Sequence, residues 1–338
     1  MALSYKARQF YRRLFQLIIT LILVAVVLFV GFVIWLRRFI IYTNEGAKLD
    51  FTLSQQWPQG QTAQAPVELP EKNIYFAQED KDEAQPETET AFVGYYVTVD
   101  ELMDNLDGVL QKVLSLPEGT PVLLDVKGYW GYFYYPTAVG DITSESFNMD
   151  TMEVFFQTIN SAGLHTIARL PAFCDYYFAM HNIRHGLRTE GGYLWADPNR
   201  SYWLDPASDE VLTYLIQITK ELRDLGFDEV AFKDFCFPET DQIFYEGDKA
   251  EALAAAARTL VSTCATEEFT VSFISTDPAF SLPEGNSRLY LQGLAAVDVQ
   301  DAVSQMSQSV MRRVVFFTEN NDTRFEVCGV IRPINMAQ

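Results

Sequence analysis

Short apolar runs alternate with longer amphipathic segments from about residue 91 to the end of the chain. Runs rich in β-branched and aromatic residues predict strands, and apolar residues recurring every three or four positions predict helices. The predicted strands cover 92–97, 122–127, 165–170, 229–235 and 269–275, with weaker candidates at 289–294, 314–318 and 325–331. The predicted helices cover 100–116, 150–162, 207–225 and 249–263.

The joint around Gly226 shows how these elements are connected. A predicted helix ends at this glycine and an apolar strand begins almost at once, as in repeating β/α units with parallel strands. Such strands over roughly 245 residues predict an α/β fold, a (β/α)8 TIM-like barrel. The weaker candidates after Ser275 leave open a barrel that is degenerate in its C-terminal half. A doubly wound open sheet is the alternative, although no glycine-rich phosphate loop follows the first strand.

The N-terminal part of the sequence predicts a membrane anchor. Positions 14–36 carry no charged residue, and a helix of this length spans a hydrocarbon core of roughly 30 Å. More basic residues precede the span than follow it, so the positive-inside rule predicts a cytoplasmic tail over 1–13 and an extracellular remainder. No small-residue cleavage site follows closely, which indicates an uncleaved, single-pass signal anchor in the cell membrane.

Composition then divides the extracellular part. Residues 37–90 are predicted to form a stalk or linker, because the region from about Thr52 is rich in Gln, Pro, Glu, Asp and Thr and cannot bury enough apolar surface to fold. Residues 91–338 are predicted to form the barrel domain. The formal net charge of −20 predicts a surface that repels nucleic acid, so no nucleic-acid partner is expected.

The cysteines and histidines indicate no metal or cofactor. Cys174 and Cys236 each follow a predicted neighbouring strand, which leaves both a disulfide and two free thiols open. The cysteine spacings match no zinc motif. His181 and His185 are four residues apart but lack the glutamate of a zinc-protease motif. We therefore predict neither a metal site nor a cofactor.

Five segments of the domain resemble a known family in order and spacing. They are GYYVT (94–98), LLDVKGYWGYFYYPT (123–137), LHTIARLPAFCD (164–175), GGYLWADPNRSYWLDP (191–206) and LGFDEVAFKDFCFP (225–238). The resemblance is to a bacterial family of predicted glycoside hydrolases with a TIM-barrel fold, long catalogued as a domain of unknown function. It implies export, a polysaccharide or other glycan as partner, and hydrolysis of glycosidic bonds.

The sequence departs from the family pattern at two positions. Lys233 stands where the family has an acid in its fourth strand, and Cys236 stands where it has an arginine. These departures leave open a non-catalytic descendant that binds glycan or acts as a cell-surface scaffold.

Strand alternation predicts which side chains reach the barrel interior. In the second strand Val122, Leu124 and Val126 face the helices, so Asp125 and Lys127 face inwards near the C-terminal end. By the same alternation Arg169, near the end of the third strand, is also predicted to face inwards. Lys233 shares the inward face with Ala231 in the fourth strand, so Asp234 points sideways unless a bulge turns it in.

Glycosidic cleavage usually needs two carboxyl groups, one to donate a proton and one that is ionised. We predict that Asp125 is catalytic as nucleophile or base, because neighbouring cations favour the ionised form. The second catalytic acid is predicted to be Asp234, with Glu239, Asp277 and Glu319 as the other candidates. An internal charge network of Asp125, Lys127 and Arg169 is the alternative to catalysis.

Aromatic residues follow the second and third strands. Trp130 and Tyr132 belong to a run of rings over 129–135 that could stack on sugars, or that could fold into a hairpin with its own small core. Trp195 is expected to form a second wall. The predicted substrate-binding residues are Lys127, Trp130, Tyr132, Arg169, Trp195, Lys233 and Glu239.

Overall fold

A computed structural model describes residues 40–43, 46–49, 92–140 and 142–337 of the chain. The first two stretches pair as an antiparallel hairpin, Ile40–Thr43 with Gly46–Leu49. The predicted cytoplasmic tail, the predicted membrane span and the rest of the predicted stalk lie outside the described residues. No helix within the described ranges is long and apolar enough to cross a membrane.

Eight strands form the core of the C-terminal unit, Ala84–Gln338. They are β1 (Val93–Val97), β2 (Pro121–Asp125), β3 (His165–Pro171), β4 (Glu229–Lys233), β5 (Thr270–Ser275), β6 (Leu289–Gln292), β7 (Val314–Phe317) and β8 (Gly329–Pro333). Each strand pairs in parallel with the next, and β8 pairs with β1, which closes the ring. The predicted barrel is confirmed, and the open-sheet alternative is wrong.

Long helices follow only the first four strands. The helices are α1 (Val99–Leu114), α2 (Met149–Asn160), α3 (Tyr176–His181), α4 (Asp209–Asp224), α5 (Lys249–Cys264), α6 (Val299–Ser304) and α7 (Gln308–Met311). The connection from β5 to β6, which is described throughout, contains no helix, and β7 connects to β8 through the 3-10 helix Thr323–Val327. The first of these connections contains Pro278, Pro283 and Gly285, which disfavour helix. The C-terminal half is therefore degenerate in its helices but complete in its strands.

Local signals in the sequence set several of these boundaries. At the start of α1 the Glu101 backbone N–H donates to the Thr98 hydroxyl, and the Glu101 carboxylate accepts from the Thr98 N–H at 2.9 Å. This reciprocal capping satisfies two N–H groups that the first turn leaves free. Gly226 follows α4 with a φ of 92°, in the left-handed region that favours glycine. The predicted joint between α4 and β4 is therefore confirmed.

Each strand contributes one apolar side chain to a cluster in the barrel interior. This interior cluster consists of Tyr96, Leu123, Ile167, Ala231, Ile274, Tyr290, Val315 and Ile331. Val122, Leu124 and Val126 belong instead to the outer core together with helix residues. The predicted strand alternation is confirmed.

A buried charge network closes the N-terminal end of the barrel. Glu229 begins β4 and is fully buried. Its carboxylate pairs with Arg288, and it accepts from Tyr290 Oη at 2.7 Å and lies 2.9 Å from His165 Nε2. Burial alone would raise the pKa of Glu229, but the charge of Arg288 and the contacts with His165 lower it to about 2. The sequence analysis did not anticipate this network.

Candidate functional site

The C-terminal ends of β2, β3 and β4 bring three predicted site residues to one end of the ring. Asp125 pairs in register with Arg169, and Arg169 pairs with Ala231. Lys233 comes two residues after Ala231 in β4, so it faces inwards as well and lies nearer the mouth of the barrel. Asp125 and Lys233 therefore lie at the same end, which is where barrels of this type carry their chemistry.

Asp125 and Arg169 form a bidentate ion pair. Arg169 Nε lies 2.7 Å from Asp125 Oδ1, and Nη2 lies 2.8 Å from Oδ2. The Val99 N–H also donates to Oδ2 at 3.2 Å. Burial alone would lower the pKa of Arg169, but the Asp125 carboxylate raises it. The pair is therefore a fixed anion and a fixed cation at the base of the mouth.

Two stacked rings support the guanidinium from the other side. Tyr96 and Phe317 stack with centroids 4.5 Å apart, and Arg169 lies 5.8 Å and 5.3 Å from their respective centroids. Tyr96 Oη donates to Glu319 Oε1 at 3.2 Å. Burial and then the Glu319 charge raise the pKa of Tyr96 to about 12. The contact brings Glu319, one of the alternative acids, to the mouth.

Asp234 follows Lys233 in a left-handed conformation, with a φ of 54°. A non-glycine residue pays a steric cost there, and such residues often occur at functional sites. Burial raises the pKa of the half-buried Asp234 carboxyl group, while the charges of Lys233 and Arg169 oppose this shift. Asp234 is thus within electrostatic reach of the same guanidinium that binds Asp125. β4 ends at Lys233, so the alternation of the strand does not extend to this left-handed residue.

Lys127 has a different environment from the one predicted. Its Nζ lies 2.6 Å from Asp175 Oδ2, and both side chains are 1% exposed. The ammonium also lies 5.5 Å from the ring centroid of Phe133. Tyr214 Oη donates to the same Asp175 oxygen at 3.2 Å. The prediction of Lys127 as a substrate-binding residue was wrong for this structure, because its ammonium is enclosed.

The predicted charge network of Asp125, Lys127 and Arg169 is therefore two separate ion pairs. Asp125 binds Arg169, and Lys127 binds Asp175. Asp175 also caps α3, since its Oδ1 accepts from the Phe178 N–H at 2.9 Å. Sequence reasoning missed Asp175, although an aspartate directly before a helical segment is a capping signal.

The aromatic run after β2 divides into an exposed part and a buried part. Tyr129, Trp130 and Tyr132 are exposed, whereas Phe133 and Tyr135 are each 1% exposed. Backbone hydrogen bonds from Gly128 to Tyr132 and from Tyr134 to Val126 form a hairpin. The hairpin with its own small core is therefore confirmed for the buried rings. The tip presents rings to solvent, and the stacking of these rings on sugars stays a prediction.

Tyr134 is a neighbour of Asp125 that sequence reasoning did not single out. Burial and then the Asp125 charge raise the pKa of Tyr134 to about 12. Its hydroxyl lies over Gly128, where an added Cβ would come within 2.4 Å of Tyr134 Oη. The neutral phenol therefore lies beside the predicted catalytic carboxylate, and no periodicity in the sequence signals this proximity.

Trp195 and Glu239 line a shallow depression of about 580 Å³ next to the end of β4. Trp195 is only 7% exposed, and its Nε1 donates to Gln242 Oε1 at 3.0 Å. The ring is largely covered but is one of the residues that line the depression, and its predicted role as a second stacking wall stays a prediction. Glu239 is exposed there.

Two remaining sequence predictions concern the acid Asp277 and the cysteines. Asp277 is exposed, and its Oδ1 accepts from the Ala279 N–H at 2.8 Å, which stabilises the turn after β5. Cys174 and Cys236 are free thiols, as are Cys264 and Cys328. Among the residues that the structure describes, no group of three His, Cys, Asp or Glu could hold a metal ion.

Comparison with known proteins identifies one matching family. The family described as "Putative glycosyl hydrolase domain" matches residues 94–276, more than half of the chain. The matched region runs from β1 to the end of β5 and contains Asp125, Arg169, Lys233 and Asp234. No curated protein matches the chain.

The solved structures that match this chain include an α-galactosidase and a hypothetical protein. The α-galactosidase AgaB of family GH36 from Geobacillus stearothermophilus is 10% identical, with a TM-score of 0.50, over 72% of this chain and 39% of that chain. A hypothetical protein from Ruminiclostridium thermocellum ATCC 27405 is 21% identical, with a TM-score of 0.44, over 53% of this chain and 96% of that chain. This chain thus spans about two fifths of AgaB. At these identities the similarity shows the fold alone.

Proposed function

Because this chain belongs to the glycosyl hydrolase domain family that matches residues 94–276, we propose that its barrel hydrolyses glycosidic bonds in a cell-envelope or extracellular polysaccharide. One observation within the matched region carries the proposal. Two carboxyl groups lie in contrasting environments at the same end of the barrel: Asp125 forms a bidentate ion pair with Arg169, whereas Asp234 follows β4 half-buried, in a left-handed conformation. Contrasting environments of this kind are how one site provides both an acid and a base.

The two carboxyl groups suit different steps of the reaction. The ion pair with Arg169 holds Asp125 as an anion, which suits attack on the anomeric carbon or activation of water. Burial raises the pKa of Asp234, which suits donation of a proton to the leaving oxygen. Asp125 pairs with Arg169 and Arg169 with Ala231, so the strands that carry the two acids are two strand spacings apart, about 10 Å.

The same proposal includes the location of the enzyme. The uncharged span 14–36 and the preceding basic residues support a single-pass anchor with a cytoplasmic N-terminus. The barrel would then face envelope polymers outside the cell. Exposed rings at the tip of the hairpin after β2, Trp130 and Tyr132, would contact the sugars.

The test is turnover of envelope polysaccharides by the full-length protein in detergent. Asp125→Asn and Asp234→Asn are each expected to lower the release of new reducing ends by about a hundredfold or more, since acid and base catalysis typically contribute 10²–10⁴-fold. Glu267→Gln is the matched control, because this exposed acid precedes β5, at the opposite end of the barrel. Asp125→Asn turnover equal to wild type would reject the assignment.

A non-catalytic glycan-binding role is the second candidate. Three hydrogen bonds already engage the two oxygens of Asp125, and Lys233 stands at the position of a family acid. Binding of glycans without cleavage of any envelope polymer would favour this role over hydrolysis.

A further inference from the structure

Lys233 is a cation at the mouth of the barrel that has no ion-pair partner among the described residues. It ends β4 on the inward face, two residues after Ala231 of the interior cluster. Its side chain is half-buried. The adjacent Asp234 is within electrostatic reach of the ammonium but forms no ion pair with it. The Lys233 side chain is therefore partly removed from water, and no described residue forms an ion pair with it.

The residues level with Lys233 in the two neighbouring strands have no side-chain group that could accept a hydrogen bond from this ammonium. Lys233 pairs in register with Pro171 of β3. On the other side Phe232 pairs with Phe273, so the residue level with Lys233 in β5 is Ile274. Both neighbouring side chains are apolar. A partly desolvated cation in such surroundings is costly unless a further group pairs with it.

Three other buried cations of the barrel each form an ion pair with a carboxylate. Lys127 pairs with Asp175, Arg169 with Asp125, and Arg288 with Glu229. The fold thus provides a carboxylate for each of these cations, while Lys233 carries its charge towards the open mouth. Among the described residues no carboxylate forms an ion pair with Lys233, so its ammonium can pair with a negatively charged group of a ligand.

We propose that Lys233 selects an anionic glycan, in which a carboxylate, phosphate or sulfate substituent of the bound sugar pairs with the Lys233 ammonium. The inference rests on the proposed function, since a glycan must reach the mouth, and it adds the charge of that glycan. An ammonium is a compact charge with three donors, which suits a single anionic substituent. A charge-assisted hydrogen bond to such a group is stronger than one to a neutral sugar hydroxyl.

The experiment compares binding of matched charged and uncharged oligosaccharides to the full-length protein by calorimetry. The probes are a uronic acid oligosaccharide, the same oligosaccharide with its carboxylates reduced to alcohols, and sulfated and phosphorylated derivatives of the reduced form. Wild type is expected to bind at least one anionic probe about tenfold or more tightly than the reduced probe, as one charge-assisted hydrogen bond predicts. The probe that binds identifies the anionic group.

Variants of Lys233 then test whether this residue causes the selectivity. Lys233→Met should lose the preference for the anionic probe and keep its affinity for the reduced probe. Lys233→Arg should keep part of the preference, because it keeps the charge. Lys220→Met, which alters an exposed lysine on α4, should behave as wild type.

Two results would overturn the inference. Either wild type binds no anionic probe more tightly than the reduced one, or Lys233→Met retains the full preference. Cleavage in the same samples is scored separately. Anion-selective binding without cleavage would reject hydrolysis and support this inference. Cleavage of a neutral glycan at a rate that Lys233→Met leaves unchanged would support hydrolysis and reject this inference.

Discussion

Glu229→Gln should remove a pH-dependent part of the stability of this barrel. Glu229 is the fully buried acceptor of the charge network at the N-terminal end, with Arg288, His165 and Tyr290 around it. The substitution keeps the shape of the side chain and removes its charge. Arg288 then loses its carboxylate partner in a site where unpaired charge is costly.

The lowered pKa of Glu229 sets the size of the effect. The pKa falls from 4.5, its ordinary value, to about 2 in the folded protein. This difference corresponds to about 3 kcal/mol at neutral pH, since each tenfold change in proton affinity is worth about 1.4 kcal/mol. Because the folded pKa is the lower one, this stability is fully present above about pH 4.5 and is lost as the pH falls towards about 2.

Urea unfolding at a series of pH values tests this expectation, with fluorescence from the buried Trp195 and Trp203 as the signal. The free energy of unfolding of Glu229→Gln should lie about 3 kcal/mol below that of wild type at pH 7, and the gap should narrow below about pH 4.5. Glu267→Gln, which changes an exposed acid, is the control and should follow wild type. A gap that stays constant from pH 7 to pH 2 would refute the reasoning.

Two further substitutions test the packing. Lys127→Met should cost about 3–5 kcal/mol in urea unfolding, because it leaves the buried Asp175 carboxylate without its cation. Combining it with Asp175→Asn should recover part of this loss, and a cost below about 1 kcal/mol for the single variant would contradict the assignment. Gly94→Ala should lower the thermal unfolding midpoint by several degrees, because its Cβ would lie 2.4 Å from the Pro121 carbonyl oxygen. Gly191→Ala is the control, because its added Cβ would meet only ordinary contacts of 3.4 Å and longer and its φ lies outside the left-handed region; an equal effect there would contradict the steric explanation.

The fold was largely predictable because its signals are local. Apolar runs of strand length, the glycine after α4 and the size of the domain are all readable along the chain. The predicted degeneracy of the C-terminal half was correct for helices alone. The later strands are short, at four residues for β6 and for β7, which explains their weak signal. They are nevertheless held in the ring by neighbours on both sides.

The candidate site was predictable only in part. Alternation placed Asp125, Arg169 and Lys233 inwards, since residues two apart in a strand share a face. The same alternation also placed Lys127 in the barrel interior, because the predicted β2 was two residues too long. In the structure β2 ends at Asp125, and the chain turns into the hairpin that carries Lys127 to Asp175.

The positions of the strands, apart from a residue or two at their ends, and the faces that point inwards can be read from the pattern along the chain. The pairing of the charged side chains depends instead on contacts between distant segments. Lys127 and Asp175 are 48 positions apart, and Glu229 and Arg288 are 59 apart. Periodicity reports the neighbours within one strand or helix, whereas these partners become neighbours only when the ring closes and the loops at its two ends fold.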